Sequence, residues 1–476
     1  MLARVRERLL EPRDAASLAA FRFLFGAILS LSSLRFLSNG WVERFYVRPT
    51  FFFKYWGFEW VQVLPEPWMT AAYVAMTVLA AFVAIGFLYR FSIVALFLLF
   101  TYVELIDVTN YLNHYYLVSL LAFLMCFLPL HRAYSVDAWL RPGRLAPVLP
   151  AWMLYLMRFQ IGVVYFYAGI AKLQPDWLLH AQPLGIWLAA RTETPIIGAL
   201  LTWPLMPHIM SWAGFLNDTL VVPFLLWKKT RPYAFATVAL FHVCTHLLFV
   251  IGVFPFLMVS GATLFFDADW PRRLVARLRA WFRAPPIPAD TAEVETRRRR
   301  NTGRWSAVGA ALVATYCVLQ VLLPLRTYLY PGDVLWHEQG MRYSWRVMVR
   351  EKNGSIRYRV RWRDAEREVQ VPPSRYLTSH QEREMSGQPD LILQLARHIA
   401  HDFEARGHED VQVRVDALVS LNGRRAAPMI DPDVDLAREP DTIALMHWIT
   451  PSPPGSPLPA YPERPARVAE SKQAAR

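Results

Sequence analysis

The sequence predicts a polytopic α-helical membrane protein of about nine spans, followed by a small extracytoplasmic α+β domain made of a β-meander and a helix. Hydrophobic residues make up 54% of the 476 residues and charged residues only 19%, and the mean hydropathy is +0.21. Apolar segments recur up to residue 324, and from Pro331 the composition becomes that of a soluble domain. These observations exclude an ordinary soluble protein.

The spans are predicted where an apolar segment approaches the roughly 20 residues that a membrane helix needs. Basic residues from Arg4 to Arg13 precede the first segment, and no small-residue cleavage site follows it, which indicates a signal anchor. The predicted spans cover residues 16–37, 68–89, 91–107, 114–130, 152–172, 208–227, 233–250, 252–267 and 305–324.

Basic residues predict the orientation of these spans. The net charge of +13 gathers in short loops beside apolar segments, which is the positive-inside pattern and not a nucleic-acid footprint. Clusters at Arg90, Lys228–Arg231 and Arg297–Arg300 can all face the cytoplasm if the spans alternate. An odd number of spans then places the C-terminal domain outside the cytoplasm, beyond the inner membrane if the chain is bacterial. We expect the lipid bilayer, and no nucleic acid, as a partner.

The chain is expected to divide into a transmembrane domain at 1–327, an α+β domain at 328–450 and a disordered Pro-rich tail at 451–476. A proline-broken segment at 178–208 is expected to lie along the outer interface or to re-enter the membrane as a lid.

In the α+β domain, alternating apolar residues predict strands, and a polar Asn-Gly sequence predicts a hairpin turn at Lys352–Ser355. An amphipathic pattern predicts a helix from Leu391 to Phe403. The arginines of Arg357–Arg363 indicate a solvated strand face, or alternatively a docking surface for an acidic peptide or a lipid headgroup. The predicted strands are 345–349, 356–362, 368–371 and 411–421.

Lys172 lies near the end of an apolar, helix-length segment that runs from Arg158 to Trp177. An amine there should be partly desolvated, which favours its neutral, basic form; a lysine that extends to the interface beside Trp177 is the alternative. His114 begins the preceding span on the outer side, and short connections make the two spans antiparallel neighbours. Topology thus predicts that His114 and Lys172 lie at one membrane depth, although His114 as a simple interfacial hydrogen-bonding residue is the alternative.

Further polar residues lie inside predicted spans. His242 and His246 have the i, i+4 spacing of zinc ligands, but no third ligand completes a metal site, and a polar packing network is the alternative. Asp218 is expected to face the bundle interior and to pair with His242 or Arg158. The sequence contains no Gly-x-Ser-x-Gly elbow, phosphate loop or dinucleotide fingerprint, so hydrolase and ATPase functions have no support.

Several stretches together resemble the vitamin K-dependent γ-glutamyl carboxylase family, within the wider group of horizontally transferred transmembrane domain proteins. They extend from about the first span to residue 436, in the order and nearly the spacing of that family. The stretches are Asn113-His114 with Tyr116-Leu117, Val164-Tyr165-Phe166, Ala168-Gly169, Lys172-Leu173, Asp176-Trp177, Asp218, Phe241-His242, Tyr343-Ser344-Trp345, Val419–Asn422 and Ile430–Asp435.

The resemblance implies that Lys172 is the base that deprotonates vitamin K hydroquinone, a menaquinol-type cosubstrate, without a metal. Reaction with O2 would then form an epoxide and an alkoxide, which removes a γ-proton from glutamate in a secreted peptide, and the carbanion would add CO2. His114 is implied to stabilise the carbanion step. Supporting roles are expected for Asn113, Asp176, Trp177, Tyr165, Asp218 and His242.

The chain also departs from the animal enzymes of this family. Ala171 stands where those enzymes have a second lysine, residues 330–476 contain no cysteine for their disulfide, and the outer region is shorter. Two alternatives therefore stay open. One is quinol epoxidation without glutamate carboxylation, and the other is a non-catalytic membrane protein that binds a secreted partner.

Overall fold

The computed structural model describes residues 2–249, 251–282 and 307–459, which are mostly helical with a small β-sheet in the C-terminal part. The predicted Arg297–Arg300 cluster and the predicted tail beyond residue 459 lie outside the described residues. The helices before residue 282 are α1 (Leu2–Leu10), α2 (Ala16–Ser38), α3 (Trp68–Ile85), α4 (Tyr89–Glu104), α5 (Asn113–Phe127), α6 (Val136–Leu140), α7 (Ala151–Lys172), α8 (Pro175–Leu178), α9 (Leu184–Ala189), α10 (Gly198–Leu201), α11 (Met206–Leu226), α12 (Arg231–Leu248), α13 (Phe254–Ala262) and α14 (Trp270–Trp281). The later helices are α15 (Ala307–Leu325), α16 (Val334–His337), α17 (Ser379–Met385) and α18 (Pro389–Ala405).

Five helices of the described chain are long and apolar enough to cross a membrane. They are Ala16–Ser38, Trp68–Ile85, Ala151–Lys172, Met206–Leu226 and Ala307–Leu329. Each of the other predicted spans also coincides with a helix, but Tyr89–Glu104, Asn113–Phe127 and Phe254–Phe265 are shorter than 18 residues. The chain is thus a membrane protein, whereas the count of nine spans stays a prediction.

Helix α7 lies at the centre of the helical bundle, where it packs against α1, α5, α11, α13 and α15. Its buried side chains occur on most of its circumference, as expected of a helix surrounded by others. Two glycines allow the neighbouring helices to come close. A Cβ at Gly169 would lie 2.7 Å from Oγ1 of Thr219 in α11, and a Cβ at Gly261 of α13 would lie 2.6 Å from Cδ1 of Ile161.

Two small sheets complete the fold. Strands β1 (Pro12–Asp14) and β2 (Val148–Pro150) pair beside the start of α7. In the C-terminal part, β3 (Lys352–Arg361), β4 (Val369–Val371), β5 (Gln412–Leu421) and β6 (Ala427–Pro428) form an antiparallel sheet of order β4-β3-β5-β6. Along β3, Ile356, Tyr358 and Val360 are buried, whereas Arg357 and Arg361 are exposed. The predicted alternation in this strand, the predicted helix and the predicted strand at 411–421 are confirmed.

The predicted hairpin turn at Lys352–Ser355 is wrong, because these residues begin β3 and pair with Leu418–Leu421 of β5. A Cβ at Gly354 would lie 2.3 Å from the carbonyl oxygen of Ser386, so this glycine allows another backbone to approach the strand. The predicted strand at 345–349 is also absent, and its residues Trp345 and Met348 have φ values of 59° and 53°. The Asn353-Gly354 pair therefore does not mark an exposed turn.

The C-terminal domain docks on one end of the helical bundle. Gln381 donates a hydrogen bond of 2.8 Å to Oδ2 of Asp107, which lies in the connection between α4 and α5. The backbone N–H of Tyr343 donates to the hydroxyl of Tyr111 at 2.8 Å. The ring of Trp345 stacks on that of Tyr116 with centroids 4.9 Å apart. The end of α7 that carries Lys172 therefore faces this domain.

Candidate active site

Lys172 occupies the last turn of α7, and its amine is enclosed in the protein. Its Nζ donates 2.8 Å to Oδ2 of Asp218 and 3.3 Å to the carbonyl of Ala168. The side chains of the pair are only 5% and 6% exposed. The Nζ also lies 5.3 Å from the centroid of the Trp177 ring. The lysine does not extend to a surface, so the interface alternative does not describe it.

Asp218 reaches Lys172 because α11 crosses α7 closely at Gly169, next to Thr219. Its other oxygen, Oδ1, accepts a hydrogen bond of 3.2 Å from Asn217. The sequence prediction that Asp218 pairs with Arg158 or His242 is wrong. Arg158 instead donates to the carbonyls of Leu264 and Phe266, at 2.7 Å and 3.0 Å.

A second buried polar pair joins α7 and α12. The hydroxyl of Tyr165 and Nε2 of His242 are 3.1 Å apart. The Nδ1 of His242 is buried and has no hydrogen-bond partner in the described part of the chain. His246 packs its ring on Phe256, with centroids 5.1 Å apart. The described residues contain no group of three His, Cys, Asp or Glu side chains that could hold a metal ion.

Both polar pairs face one cavity of about 70 Å³. Apolar side chains form nearly all of its wall, and they come from α7, α8, α9, α11, α12, α13, the connection between α12 and α13, and the C-terminal domain. Trp187 of the proline-broken segment and Met348 of the C-terminal domain are among them, and neither had a sequence signal for this position. The lining residues are Val164, Tyr165, Ala168, Lys172, Trp177, Leu184, Trp187, Met210, Gly214, Asp218, Phe241, His242, Thr245, Phe249, Ile251, Phe254, Met258, Val347 and Met348.

His114 lies close to this cavity, behind Phe254. The ring centroid of Phe254 is 5.8 Å from that of His114 and 5.7 Å from that of His242. The Nε2 of His114 is buried without a hydrogen-bond partner in the described chain, near the backbone of Gly252. Asn113 accepts a hydrogen bond of 3.1 Å from Tyr111. The structure thus brings α5 and α7 together, and Phe254, which lines the cavity with Lys172, packs against His114.

Trp177 and Asp176 follow Lys172 and point in different directions. Trp177 lines the cavity and donates from Nε1 to the carbonyl of Ser211 at 2.9 Å. The carboxylate of Asp176 instead binds the C-terminal domain, where Asn422 and Arg424 donate to it. Arg424 was not singled out in the sequence, because its partner lies 248 residues away.

The cavity can support proton transfer in an environment with little water. An amine and a carboxylate lie side by side within an apolar wall, where charge interactions are stronger than in water. A proton that Lys172 takes up would lie beside the carboxylate of Asp218. The only other polar groups that line the cavity are those of Tyr165, His242, Trp177, Trp187 and Thr245 and the sulfurs of its methionines, among the described residues.

Comparison with known proteins covers both parts of the chain. Residues 10–270 match the HTTM domain, and residues 305–454 match the vitamin K-dependent gamma-carboxylase lumenal domain. No solved structure matches the chain. The first match covers more than half of the chain and contains Lys172 and Asp218, and the second contains Arg424. The protein therefore belongs to the vitamin K-dependent gamma-carboxylase family of HTTM-domain membrane proteins.

Proposed function

We propose that this protein couples epoxidation of vitamin K hydroquinone by O2 to γ-carboxylation of peptidyl glutamate with CO2. The observation that carries the proposal is the Lys172–Asp218 pair, enclosed at 2.8 Å beside an apolar cavity. Family membership supports carboxylase-like chemistry in a membrane protein. A lipid-soluble quinol, of the menaquinol type, matches the apolar wall.

Lys172 is the proposed base. In its neutral form the amine accepts the phenolic proton of the hydroquinone, and the resulting ammonium lies against the carboxylate of Asp218. The carboxylate of Asp218 stabilises the positive charge that forms on Lys172 during proton transfer. Because it is already in place, no rearrangement of the protein adds to the activation barrier. General-base catalysis by a positioned side chain contributes about 10²- to 10⁴-fold in rate.

The cavity fits the chemistry of a quinol but must widen to hold one. An apolar cavity that binds benzene has about 150 Å³, whereas this one has about 70 Å³. Trp187, Val347 and Met348 belong to segments outside the central helices, so their displacement opens the cavity with the bundle intact. Closure over the bound quinol would exclude water, which otherwise quenches the strong base that the hydroquinone supplies after reacting with O2.

Tyr165 and His242 are proposed to orient the quinol ring, since their hydrogen-bonded pair lines the same cavity as Lys172. His114, behind Phe254, is proposed to assist the carboxylation step if Phe254 moves.

We also propose the nine-span topology, which places this site and the C-terminal domain on the extracytoplasmic side. A Glu-containing secreted peptide would then reach the site without crossing the membrane.

Lys172→Ala is the first test, in purified protein with reduced quinone and O2. We expect epoxide formation to fall by at least about 100-fold; full turnover would contradict the assignment of the base.

A second experiment adds labelled bicarbonate and a glutamate peptide to the unmodified protein. Label in the peptide supports carboxylation, whereas epoxide without label supports a quinol epoxidase. If neither the epoxide nor labelled peptide forms, the result supports a non-catalytic binding protein.

A further inference from the structure

The carboxylate of Asp176 is held by the C-terminal domain at the end of the helix that carries Lys172. Arg424 donates from Nη1 to Oδ2 at 2.6 Å and from Nη2 to Oδ1 at 2.7 Å. Asn422 donates to Oδ2 at 3.0 Å. The side chains of Arg424 and Asp176 are 15% and 9% exposed. A two-point arginine–carboxylate pair fixes orientation as well as distance.

The C-terminal side of this contact is itself well held. Asn422 is fully buried, its φ is 50°, and its Oδ1 accepts a hydrogen bond of 2.8 Å from the backbone N–H of Glu351. The Nε of Arg424 donates to the carbonyl of Gly455 at 2.9 Å. The turn that follows β5 is therefore a fixed support and not a free loop.

The membrane side connects Asp176 to the amine of Lys172 through Trp177. The backbone carbonyl of Asp176 accepts a hydrogen bond of 2.8 Å from Gln182, and Trp177 is tied to Ser211 in both directions. The indole of Trp177 lies 5.3 Å from Nζ of Lys172. A shift of Asp176 therefore moves the ring that lies against the amine.

We infer that Asn422 and Arg424 are positioning residues for Lys172, which act through Asp176 and Trp177. The C-terminal domain then supplies part of the geometry of the membrane-embedded base in addition to any contact with a peptide. This inference rests on the proposed role of Lys172 as base. A misplacement of about 1 Å in a catalytic group can cost about 100-fold in rate, so a small change at Arg424 should be measurable.

The experiment compares Arg424→Gln, Arg424→Lys and the matched control Arg438→Gln. Arg438 pairs with Asp410 at 2.7 Å and with Asp435 at 3.2 Å in the same domain, but its side chain is 64% exposed, so these pairs contribute little. For quinol epoxidation we expect Arg424→Gln to lower kcat about 10- to 100-fold, to change KM less, and to shift the pH profile. Arg424→Lys should restore part of kcat, and Arg438→Gln should match the unmodified protein.

A second readout does not depend on turnover. Reductive methylation with formaldehyde labels accessible amines, and mass spectrometry of the peptide containing Lys172 gives its labelling rate. We expect Arg424→Gln to change this rate at least threefold and Arg438→Gln to leave it unchanged. If the unmodified protein shows no epoxidation, the proposed function is contradicted. The labelling rates of Lys172 in the two variants still test whether Arg424 positions this lysine.

Either of two patterns would overturn the inference. In the first, Arg424→Gln would lower the unfolding temperature while kcat per folded molecule, the pH profile and the Lys172 labelling rate stayed those of the control. Asp176 and Arg424 would then only attach the domain to the bundle. Unchanged stability together with unchanged kinetics and labelling would overturn it equally.

Discussion

At the scale of single residues, the buried Lys172–Asp218 pair is the feature on which the proposed chemistry depends. The two side chains are only 5% and 6% exposed, so a charge on either one is compensated chiefly by the other. Removing one partner from such a pair leaves an uncompensated group in an apolar surrounding, which costs more than the pair contributes as a whole. Asp218 is therefore expected to matter for folding as well as for catalysis.

Asp218→Asn should lower the free energy of unfolding by about 3–5 kcal/mol and slow quinol epoxidation, because the ammonium formed on Lys172 loses its counter-ion. Thermal unfolding in detergent and the epoxidation rate per folded molecule measure the two effects separately. Asp410→Asn is the control, since Asp410 lies in the exposed pair with Arg438. An Asp218→Asn variant with unchanged stability and rate would contradict this account.

At the scale of secondary-structure elements, glycines decide how closely the helices pack. Gly26 in α2 faces α3, where an added Cβ would lie 2.4 Å from the backbone nitrogen of Ala84 and 2.5 Å from the carbonyl oxygen of Ala80. Backbone atoms cannot give way as a flexible side chain can. Gly162 in α7 is different, since the nearest atom to its added Cβ is Cγ1 of Val222 at 3.5 Å.

Gly26→Ala should therefore destabilise the protein by about 1–3 kcal/mol or more, because α2 and α3 must move apart. Gly162→Ala should be neutral or slightly stabilising, since alanine favours the helix and its methyl has room. The unfolding temperatures of the two variants in the same detergent make the comparison. Equal effects of the two substitutions would show that packing between α2 and α3 is not the cause.

At the scale of the whole molecule, the C-terminal domain and the helical bundle share a continuous core. Phe53, Val108 and Trp177 of the membrane part pack with buried residues of the C-terminal sheet and of α18. Lys352, at the start of β3, is buried inside this domain and donates to Glu338 at 2.9 Å and to the carbonyls of Trp336 and Gly387. Burial lowers the pKa of Lys352 to about 8, although Glu338 opposes the change.

This lowered pKa predicts a pH dependence of stability. Between pH 8 and the ordinary pKa of 10.5, the unfolded chain holds a proton that the folded chain has lost. The Lys352 contribution to the free energy of unfolding should thus rise with pH across this window, by up to about 1.4 kcal/mol per pH unit. Below pH 8 both states are protonated, and the contribution is a constant penalty.

Lys352→Met tests this dependence by difference, since other groups titrate equally in both proteins. Denaturant unfolding at several pH values should show that the unmodified protein gains stability relative to Lys352→Met from pH 8 to 10.5. Parallel curves over this window would contradict the prediction. Relative stability that instead fell above pH 10.5 would mean that Glu338 outweighs burial.

Local patterns in the sequence determined the membrane class, the positions of the long apolar helices, the α18 helix, the alternation in β3 and the buried amine of Lys172. Each of these depends on residues near one another in the chain, so periodicity and composition are enough to predict them. The hairpin turn predicted at Asn353-Gly354 was wrong because it, too, was inferred from local sequence alone. Its local turn preference was overridden by pairing with β5, more than 60 residues later in the chain.

Only the tertiary structure decided which groups meet Lys172. Asp218 is 46 residues away in the chain, and it is brought to the amine by the close crossing of α7 and α11 at Gly169. Arg424 binds Asp176 across 248 residues for an equally non-local reason, the docking of one domain on another. The spacing of residues along the sequence predicts which side chains share one face of a helix. It does not predict which other helix packs against that face.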